Sequence, residues 1–149
     1  MEKTRVLFLC TGNSARSQMA EAFLRKHGND RFEVYSAGLE PAPIHPLTLK
    51  VMKEKGLDLE EMNHRSKSLI DEFFRKQVHI GYLITVCRKA EDKCPIYPWA
   101  GKREFWDLDD PAAFRGTDEE KLAFFRKTRD VIEEKVKGLA GTAPSEGSN

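Results

Sequence analysis

A cysteine and an arginine that lie close together near the start of the chain are the first candidates for chemistry. Cys10 ends the apolar run "VLFLC", and Arg16 opens a helical pattern six positions later. A thiolate is a nucleophile, and a guanidinium is a planar, permanently charged group that suits a tetrahedral oxyanion. The spacing therefore predicts a nucleophile that is held against an oxyanion.

The small residues around this pair are predicted to bind the anion through their backbone. In open parallel sheets, ligands bind at the carboxyl ends of the strands. A short loop that leads into a helix can aim several N–H groups at an anion. The same positive surroundings are expected to lower the pKa of the Cys10 thiol. The alternative is a buried cysteine followed by an ordinary helix cap. The predicted loop comprises Thr11, Gly12, Asn13, Ser14, Ala15, Arg16 and Ser17.

The elements that must position this loop alternate between strands and helices. Short apolar runs predict strands, and apolar residues at helical spacing predict helices. Strands that alternate with helices form right-handed βαβ units. The sequence therefore predicts an α/β fold, with a small parallel sheet and helices on both of its faces. The predicted strands are residues 5–10, 31–38, 79–87 and 103–106, and the predicted helices are residues 16–27, 46–56, 68–76 and 118–139.

Length and charge restrict the classes of protein to consider. A chain of 149 residues predicts one domain, which we place at residues 1–139. Residues 140–149 carry no large apolar side chain and are expected to be disordered. The 25 basic and 24 acidic residues nearly balance, so we expect neither nucleic acid nor a membrane as a partner.

The cellular compartment is predicted from the start of the chain and from its cysteines. The opening apolar run is too short for a signal peptide or a membrane span. An odd number of cysteines, three, argues against a secreted disulfide scaffold. The sequence therefore predicts a cytoplasmic protein whose thiols are either reactive or simply buried.

The stretch "CTGNSARS", residues 10–17, resembles the phosphate-binding loop of the low-molecular-weight protein tyrosine phosphatases. It is most similar to the arsenate reductases of that fold, which thioredoxin recycles, and the likeness runs from about Thr4 to Val136. The resemblance implies a four-stranded parallel sheet, arsenate as the substrate and no organic cofactor. It also implies reduced thioredoxin as the external electron donor and partner. We expect a monomer.

Two further cysteines lie in "TVCRKAEDKCPIYP". Cys87 ends a predicted strand, on the same edge of the sheet as Cys10, and Cys94 follows seven positions later on a polar segment. The resemblance implies that Cys10 attacks arsenate, that Cys87 attacks Cys10 as arsenite leaves, and that Cys94 then attacks Cys87. These last steps are thiol–disulfide exchange. The alternatives are a buried core thiol at Cys87 and an incidental loop thiol at Cys94.

The stretch "FWDLDDPAAF" supplies candidates for a general acid that protonates the leaving oxygen. Phosphatases and reductases of this type carry an Asp-Pro pair near this place, so Asp110 is the first candidate, with Asp107 and Asp109 as fallbacks. The alternative is that the aspartates only mark a turn. Ala112 and Ala113 stand where the phosphatases carry aromatic residues that grip a phosphotyrosine ring, which favours a small inorganic substrate.

A set of polar side chains near the loop is predicted to fix its conformation. Asn13 and Ser17 are expected to hydrogen-bond across it. In some reductases of this type, residues that match Asn13, Glu21 and Ser36 bind potassium together with an aspartate. Here Lys67 stands where the acid is expected, so it either replaces the ion by pairing with Glu21 or is solvated. We predict no required metal, because the four histidines also lack the spacing of zinc ligands and no CxxC pair is present.

Three functions remain open from the sequence. The first is reduction of arsenate to arsenite through a Cys10–Cys87–Cys94 relay. The second is a low-molecular-weight phosphatase that acts on phosphotyrosine. The third is a sensor that binds arsenite or another oxyanion without turnover. The sequence does not separate thioredoxin from a glutaredoxin-like reductant.

Overall fold

The structure, a computed structural model, describes residues 3–94 and 96–142. Within them four parallel strands form one sheet in the order β2-β1-β3-β4, which confirms the predicted fold class. The strands are β1 Thr4–Cys10, β2 Phe32–Gly38, β3 Ile80–Thr85 and β4 Ala100–Phe105.

Helices connect these strands and cover the sheet. A single π-helical turn spans Ile70–Phe74, and a 3-10 turn spans Pro111–Ala113. The α-helices in the described residues are α1 Arg16–His27, α2 Pro46–Lys53, α3 Arg88–Lys93 and α4 Asp118–Thr142.

Strand β1 lies at the centre of the hydrophobic core. It pairs with β2 on one side and with β3 on the other, so that Leu7 lies opposite both Tyr35 and Leu83. The four residues from Val6 to Leu9 have no exposed surface. A continuous apolar run is typical of a parallel strand that is buried on both faces, which is why "VLFL" lacks the alternation of an exposed strand.

The two faces of the sheet are covered by different elements. On one face Phe8 packs against Trp106, with ring centroids 5.6 Å apart, and Lys135 of α4 lies over the Trp106 ring. On the other face Tyr35 meets Phe73 of the π-helical turn edge to face, at 5.6 Å. Both faces of the central strand are therefore shielded from water.

The strand order opens a crevice next to β1. The chain leaves β1 through α1 and reaches β2 on one side, whereas β3 lies on the other side of β1. Such a reversal leaves space between the carboxyl ends of the two diverging strands, where α/β proteins bind ligands. Cys10 ends β1, and Cys87 lies two residues beyond the end of β3.

The segment after β3 differs most from the prediction. Residues 88–93 form helix α3, which the sequence analysis did not predict, and β3 ends at Thr85 rather than at Cys87. The reason is that Cys87 is the N-cap of α3, and its Sγ accepts the Ala90 N–H at 3.3 Å. Cysteine is not among the usual capping residues, so the sequence carries no start signal for this helix.

Other boundaries differ by smaller amounts. Strand β4 begins at Ala100 rather than at Arg103. The sequence did not indicate residues 100–102 because β4 is an edge strand, and its partly exposed first residues show no apolar pattern. Of the predicted helix at residues 68–76, the structure forms only the π-helical turn Ile70–Phe74. Gln77, three residues after this turn, has a positive φ of 52°. Helix α2 ends at Lys53, before a turn in which Gly56 has a φ of 80°.

The last helix runs past the predicted domain boundary. Helix α4 continues to Thr142, and Ala140 is buried, so residue 139 lies inside the helix. The rest of the predicted tail, residues 143–149, lies outside the described residues. In the described ranges, none of the helices has the length and apolar composition needed to span a membrane.

Gly38, at the end of β2, lies very close to the backbone of the predicted anion-binding loop. A Cβ at this position would lie 2.7 Å from the Thr11 carbonyl oxygen and 2.9 Å from the Asn13 nitrogen. Because both are backbone atoms, we expect Gly38→Ala to destabilise the protein by about 1–3 kcal/mol and to distort the loop.

Urea unfolding measures the free energy, and Gly138→Ala is the matched control. Gly138 lies in α4 with nothing within 4 Å of the added Cβ, so alanine there should stabilise by up to about 1 kcal/mol. Equal unfolding free energies for the two variants would contradict the close approach at Gly38.

Candidate active site

The loop after β1 is held from one side by residues 39–48, and it turns the Asn13 N–H towards the Cys10 sulfur. The carbonyl oxygens of Cys10, Thr11, Gly12 and Ser14 all accept hydrogen bonds from residues 39–48, at 2.8–3.2 Å. In a trans peptide the C=O and N–H groups point in opposite directions. The N–H groups that follow these carbonyls therefore point away from residues 39–48, and that of Asn13 donates to Cys10 Sγ at 3.1 Å.

Cys10 is nearly inaccessible, with 3% of its surface exposed. Its Sγ also lies 2.9 Å from the Ser17 hydroxyl. Burial raises the pKa of the Cys10 thiol above its ordinary value, while Ser17, Arg16 and the Asn13 N–H act in the opposite direction. The lowered pKa expected from the sequence is therefore wrong, because burial outweighs the positive surroundings.

Arg16 is buried beside this sulfur, with a hydrogen-bonding group still free. Its Nη1 donates to the Leu108 carbonyl at 2.9 Å, and its Nη2 lies 3.7 Å from Asp110 Oδ2. The Arg16 Nε is buried and, within the described part of the chain, has no hydrogen-bond partner. A buried donor without an acceptor is costly, so an anion in the crevice would satisfy it.

The crevice holds four of the five predicted catalytic residues, and two of the four are thiols. It has a volume of about 550 Å³, and Cys10, Arg16, Cys87 and Asp110 all line it. Cys87 Sγ lies 3.5 Å from the Thr11 hydroxyl. The sequence analysis predicted that Cys87 would share the sheet edge with Cys10, and the structure places both thiols in the same crevice. The other lining residues are Thr11, Gly12, Ser14, Ala15, Arg88, Lys89, Asp107, Leu108, Asp109 and Ala112.

The three candidate aspartates all line the crevice, and the contacts of Asp110 differ from those of Asp107. Asp110 caps the 3-10 turn, with Oδ1 accepting the Ala112 N–H at 3.0 Å, and its other oxygen faces Arg16. Asp107 is engaged in an exposed ion pair with Arg88 at 2.9 Å. Asp110 therefore has the turn-forming role considered as an alternative, and its second oxygen lies beside Arg16 at the crevice.

Cys94 lies at the far end of α3 and is not among the residues that line the crevice. It is the C-cap of that helix, and its N–H donates to the Ala90 carbonyl at 2.8 Å. Burial raises the pKa of the Cys94 thiol, and the Arg103 guanidinium opposes this by hydrogen bonding and by its charge. The folded α3 therefore separates Cys94 from Cys87.

The predicted loop-support residues form a buried hydrogen-bonded cluster. Asn13, with a positive φ of 53°, donates from Nδ2 to Ser17 at 2.8 Å and to Ser36 at 3.0 Å. Its Oδ1 accepts the Lys67 N–H at 2.8 Å. The Ser36 hydroxyl in turn donates to Glu21 at 2.6 Å. The side chain of Asn13 thus ties the loop to α1, to β2 and to the segment before the π-helical turn.

Lys67 lies close to Glu21, the carboxylate with which the sequence suggested that it pairs in place of a potassium ion. Its Nζ is 3.8 Å from Glu21 Oε1 and 3.4 Å from the Ser36 hydroxyl, and its side chain is only 12% exposed. The alternative of a solvated Lys67 is therefore excluded by its burial. In the part of the chain that the structure describes, no group of three or more histidine, cysteine, aspartate or glutamate side chains is arranged to hold a metal ion.

The sequence analysis missed several partners of this cluster. Arg25 pairs with Glu21 at 2.7 Å, and its position one helical turn after Glu21 is a signal that was available. Gln18 donates to the Asn13 carbonyl at 3.0 Å and accepts from His64 at 2.8 Å. Burial lowers the pKa of His64, against the nearby Glu21 carboxylate. No local pattern reveals this contact, because 46 positions separate Gln18 from His64.

Comparison with known proteins identifies the family. The profile of the low molecular weight phosphotyrosine protein phosphatases matches residues 5–148. An arsenate reductase of Bacillus licheniformis is 46% identical over 142 residues, which cover 95% of this chain and 99% of that protein.

Two solved structures are similar over most of the chain. An arsenate reductase in its phosphate-binding state has a TM-score of 0.76 and 30% identity, covering 93% of this chain and 97% of that one. A thioredoxin-dependent arsenate reductase of Corynebacterium glutamicum has a TM-score of 0.62 and 29% identity, covering 91% of this chain and 62% of that one. The chain belongs to the low molecular weight phosphotyrosine protein phosphatase family.

Proposed function

We propose that the protein reduces arsenate to arsenite, with Cys10 as the nucleophile and a Cys10–Cys87–Cys94 relay that an external dithiol protein regenerates. One observation carries this proposal: the crevice that holds Cys10 and Arg16 also holds a second thiol, Cys87. Phosphate ester hydrolysis needs one nucleophilic thiol, whereas reduction of arsenate needs two thiols that can form a disulfide. The similarity to curated arsenate reductases supports the same activity.

In the first step the loop binds arsenate and Cys10 attacks the arsenic atom. The loop N–H groups and the free Arg16 Nε hold the arsenate oxygens. A sulfur–arsenic bond forms, and an oxygen leaves as water with a proton that Asp110 donates. The absence of a ring-gripping side chain at Ala112, which lines the crevice, fits a small oxyanion.

In the second step the arsenic atom is reduced. The Cys87 thiolate attacks Cys10 Sγ, and the sulfur–arsenic bond breaks with its electron pair left on arsenic. Arsenic(V) becomes arsenic(III) and leaves as arsenite, while two thiols become the Cys10–Cys87 disulfide. The two electrons that arsenic gains are those that the thiols lose.

The third step requires α3 to unwind. Cys87 and Cys94 cap opposite ends of a helix of six residues, and a rise of ~1.5 Å per residue separates them by about 10 Å. A disulfide needs Cα atoms within about 7 Å. The Cys87 sulfur also accepts the Ala90 N–H at the start of α3. A disulfide to Cys10 pulls this sulfur away from the Ala90 N–H, so the helix loses its cap. A helix this short is marginal without such support.

Cys94 then attacks Cys87 and exposes the disulfide to the reductant. The electron pair leaves on Cys10, which takes up a proton and returns to its starting state. We propose thioredoxin as the reductant, because a similar protein of Corynebacterium glutamicum is thioredoxin-dependent. The cytoplasmic location and the monomeric state remain predictions.

The loop-support cluster has a proposed role in this scheme. Lys67 supplies a fixed positive charge beside Glu21 and Ser36, in the place where a monovalent cation would otherwise lie. It keeps Ser36 and Asn13 in the orientation that fixes the loop. The charge belongs to the chain, so we propose that activity needs no added potassium and no other metal.

An assay of arsenate turnover separates the three functions considered above. Arsenate is added with thioredoxin, thioredoxin reductase and a nicotinamide readout, and arsenite is measured directly. We expect turnover that needs every component and that Cys10→Ser abolishes. A phosphatase would cleave an aryl phosphate and ignore thioredoxin, and a sensor would bind arsenate without turnover. Either result would contradict the proposal.

Ser17 supplies a test of how the Cys10 thiolate is stabilised. The Ser17 hydroxyl lowers the pKa of Cys10 against the effect of burial. Ser17→Ala should therefore raise that pKa and shift the rise of iodoacetamide reactivity to higher pH. At pH 7 we expect alkylation of Cys10 to slow by about threefold to tenfold, because only the thiolate reacts.

The measurement is the pH profile of alkylation at Cys10, resolved by mass spectrometry. Ser14→Ala is the control, since Ser14 lies in the same loop and its side chain is not among the hydrogen-bond partners described for Cys10 Sγ. A pH profile for Ser17→Ala that matches that of Ser14→Ala would show that the short Ser17 contact does not stabilise the thiolate.

A further inference from the structure

Helix α3 is tied to the rest of the fold by two ion pairs that reach different parts of it. Glu91 accepts the Thr85 hydroxyl at 2.6 Å and the Arg103 guanidinium at 3.2 Å, which attaches the helix to β3 and β4. Arg88, the first residue of the helix, donates from Nη2 to Asp107 Oδ2 at 2.9 Å. The second ion pair thus connects α3 to the segment that follows β4.

The Arg88 guanidinium is held from two directions. Its carbon lies 5.1 Å from the centroid of the Phe105 ring, over the face of the ring. A cation within about 6 Å of an aromatic face is attracted to it, and Phe105 is the last residue of β4. The ring and the Asp107 carboxylate therefore set the direction of the guanidinium, although the Arg88 side chain is 63% exposed.

The segment that this pair reaches carries the proposed proton donor. Residues 106–110 are an irregular connection between β4 and the 3-10 turn. Within it the Leu108 carbonyl accepts from Arg16 Nη1 at 2.9 Å, and Asp107 is the residue immediately before Leu108. Helices α3 and α1 therefore hold the segment at adjacent residues, and these residues lead directly to Asp110.

We propose that Arg88 and Asp107 are positioning residues for the first chemical step, in which they hold the segment that presents Asp110 to the leaving oxygen. This inference rests on the proposed attack of Cys10 on arsenate, with Asp110 as the proton donor. Asp107, a fallback candidate for the acid, receives a supporting role because its carboxylate is already bonded to a guanidinium. Proton transfer depends on the orientation of the acid, so displacement of the segment slows this step.

The position of Arg88 next to Cys87 relates the pair to the order of the steps. When Cys87 bonds to Cys10 and α3 unwinds, Arg88 moves with its neighbour and its contact with Asp107 opens. Asp110 has given up its proton by then, because the oxygen leaves in the first step. The folded helix therefore serves the first step, and its later unwinding does not impair that step.

The test is the release of arsenite in a single turnover of the fully reduced protein. The protein is mixed with excess arsenate and no external reductant, and arsenite is measured by rapid quench at several arsenate concentrations. We expect Arg88→Gln and Asp107→Asn each to lower the maximal rate by about twofold to fivefold, since an exposed ion pair makes a modest contribution. The arsenate concentration for half the maximal rate should change by less than about twofold, because the loop and Arg16 that bind the anion are unaltered.

Lys93→Gln is the matched control. It removes one positive charge from an exposed position of the same helix, and Lys93 is not among the residues that line the crevice. A rate for Arg88→Gln that is no lower than that of Lys93→Gln would overturn the proposal. A faster release would also overturn it, because the pair would then restrain Cys87 rather than position the acid. So would a loss in Asp107→Asn that far exceeds the loss in Arg88→Gln, since Asp107 would then donate the proton itself.

A double variant tests whether the two side chains act through each other. Arg88→Gln/Asp107→Asn should be no slower than the slower single variant, since two residues that share one interaction lose it once. Additive losses would overturn the pair as the cause. The wild-type protein in the same assay decides the proposed function, so arsenite release that the variants leave unchanged would contradict this inference alone.

Discussion

Asn13 holds the loop after β1 in a conformation in which its own N–H donates to the Cys10 sulfur, and residues of three neighbouring segments fix its side chain. Its backbone lies in the left-handed region, which non-glycine residues rarely occupy. Three hydrogen bonds of its side chain, to Ser17, Ser36 and Lys67, fix that conformation. A strained residue persists where its surroundings over-determine it, and here they belong to α1, to β2 and to the segment before the π-helical turn.

The same constraint explains why the support cluster carries charge. Glu21 is almost fully buried, and a buried carboxylate is costly without partners. Arg25 and Lys67 neutralise it, while Ser36 links it to Asn13. The loop is therefore held by a network that includes its own cations, and neutral substitution of Lys67 or Arg25 would leave the buried Glu21 with one cation fewer. Lys67 thus belongs to the cluster that supports the loop, although it is not among the residues that line the crevice.

The sequence predicted the parts of the site that depend on local order, and it missed those that depend on long-range packing. Cys10, Arg16 and the loop between them are contiguous, so strand, loop and helix follow from one stretch of sequence. Helix α3 was missed because a cysteine caps it. The predicted direction of the Cys10 pKa shift was wrong, because burial raises this pKa and depends on packing by several elements that are distant in sequence.

Interactions between distant residues were hidden for the same reason. Arg103 reaches Glu91 across twelve positions of sequence, and only the pairing of β4 with β3 brings the two together. In the proposed scheme α3 is the element that must be stable enough to separate Cys87 from Cys94 and weak enough to unwind. Its short length, its cysteine cap and its polar attachment to β3 and β4 are consistent with both demands.

The most direct test of the account is a disulfide map of the wild-type protein after a single turnover. One equivalent of arsenate is added to the fully reduced protein without thioredoxin, free thiols are blocked in acid, and the peptides are identified by mass spectrometry. We expect one equivalent of arsenite and a disulfide between Cys87 and Cys94, with Cys10 recovered as a free thiol. Arsenite released without any disulfide, or a disulfide that excludes Cys87, would contradict it.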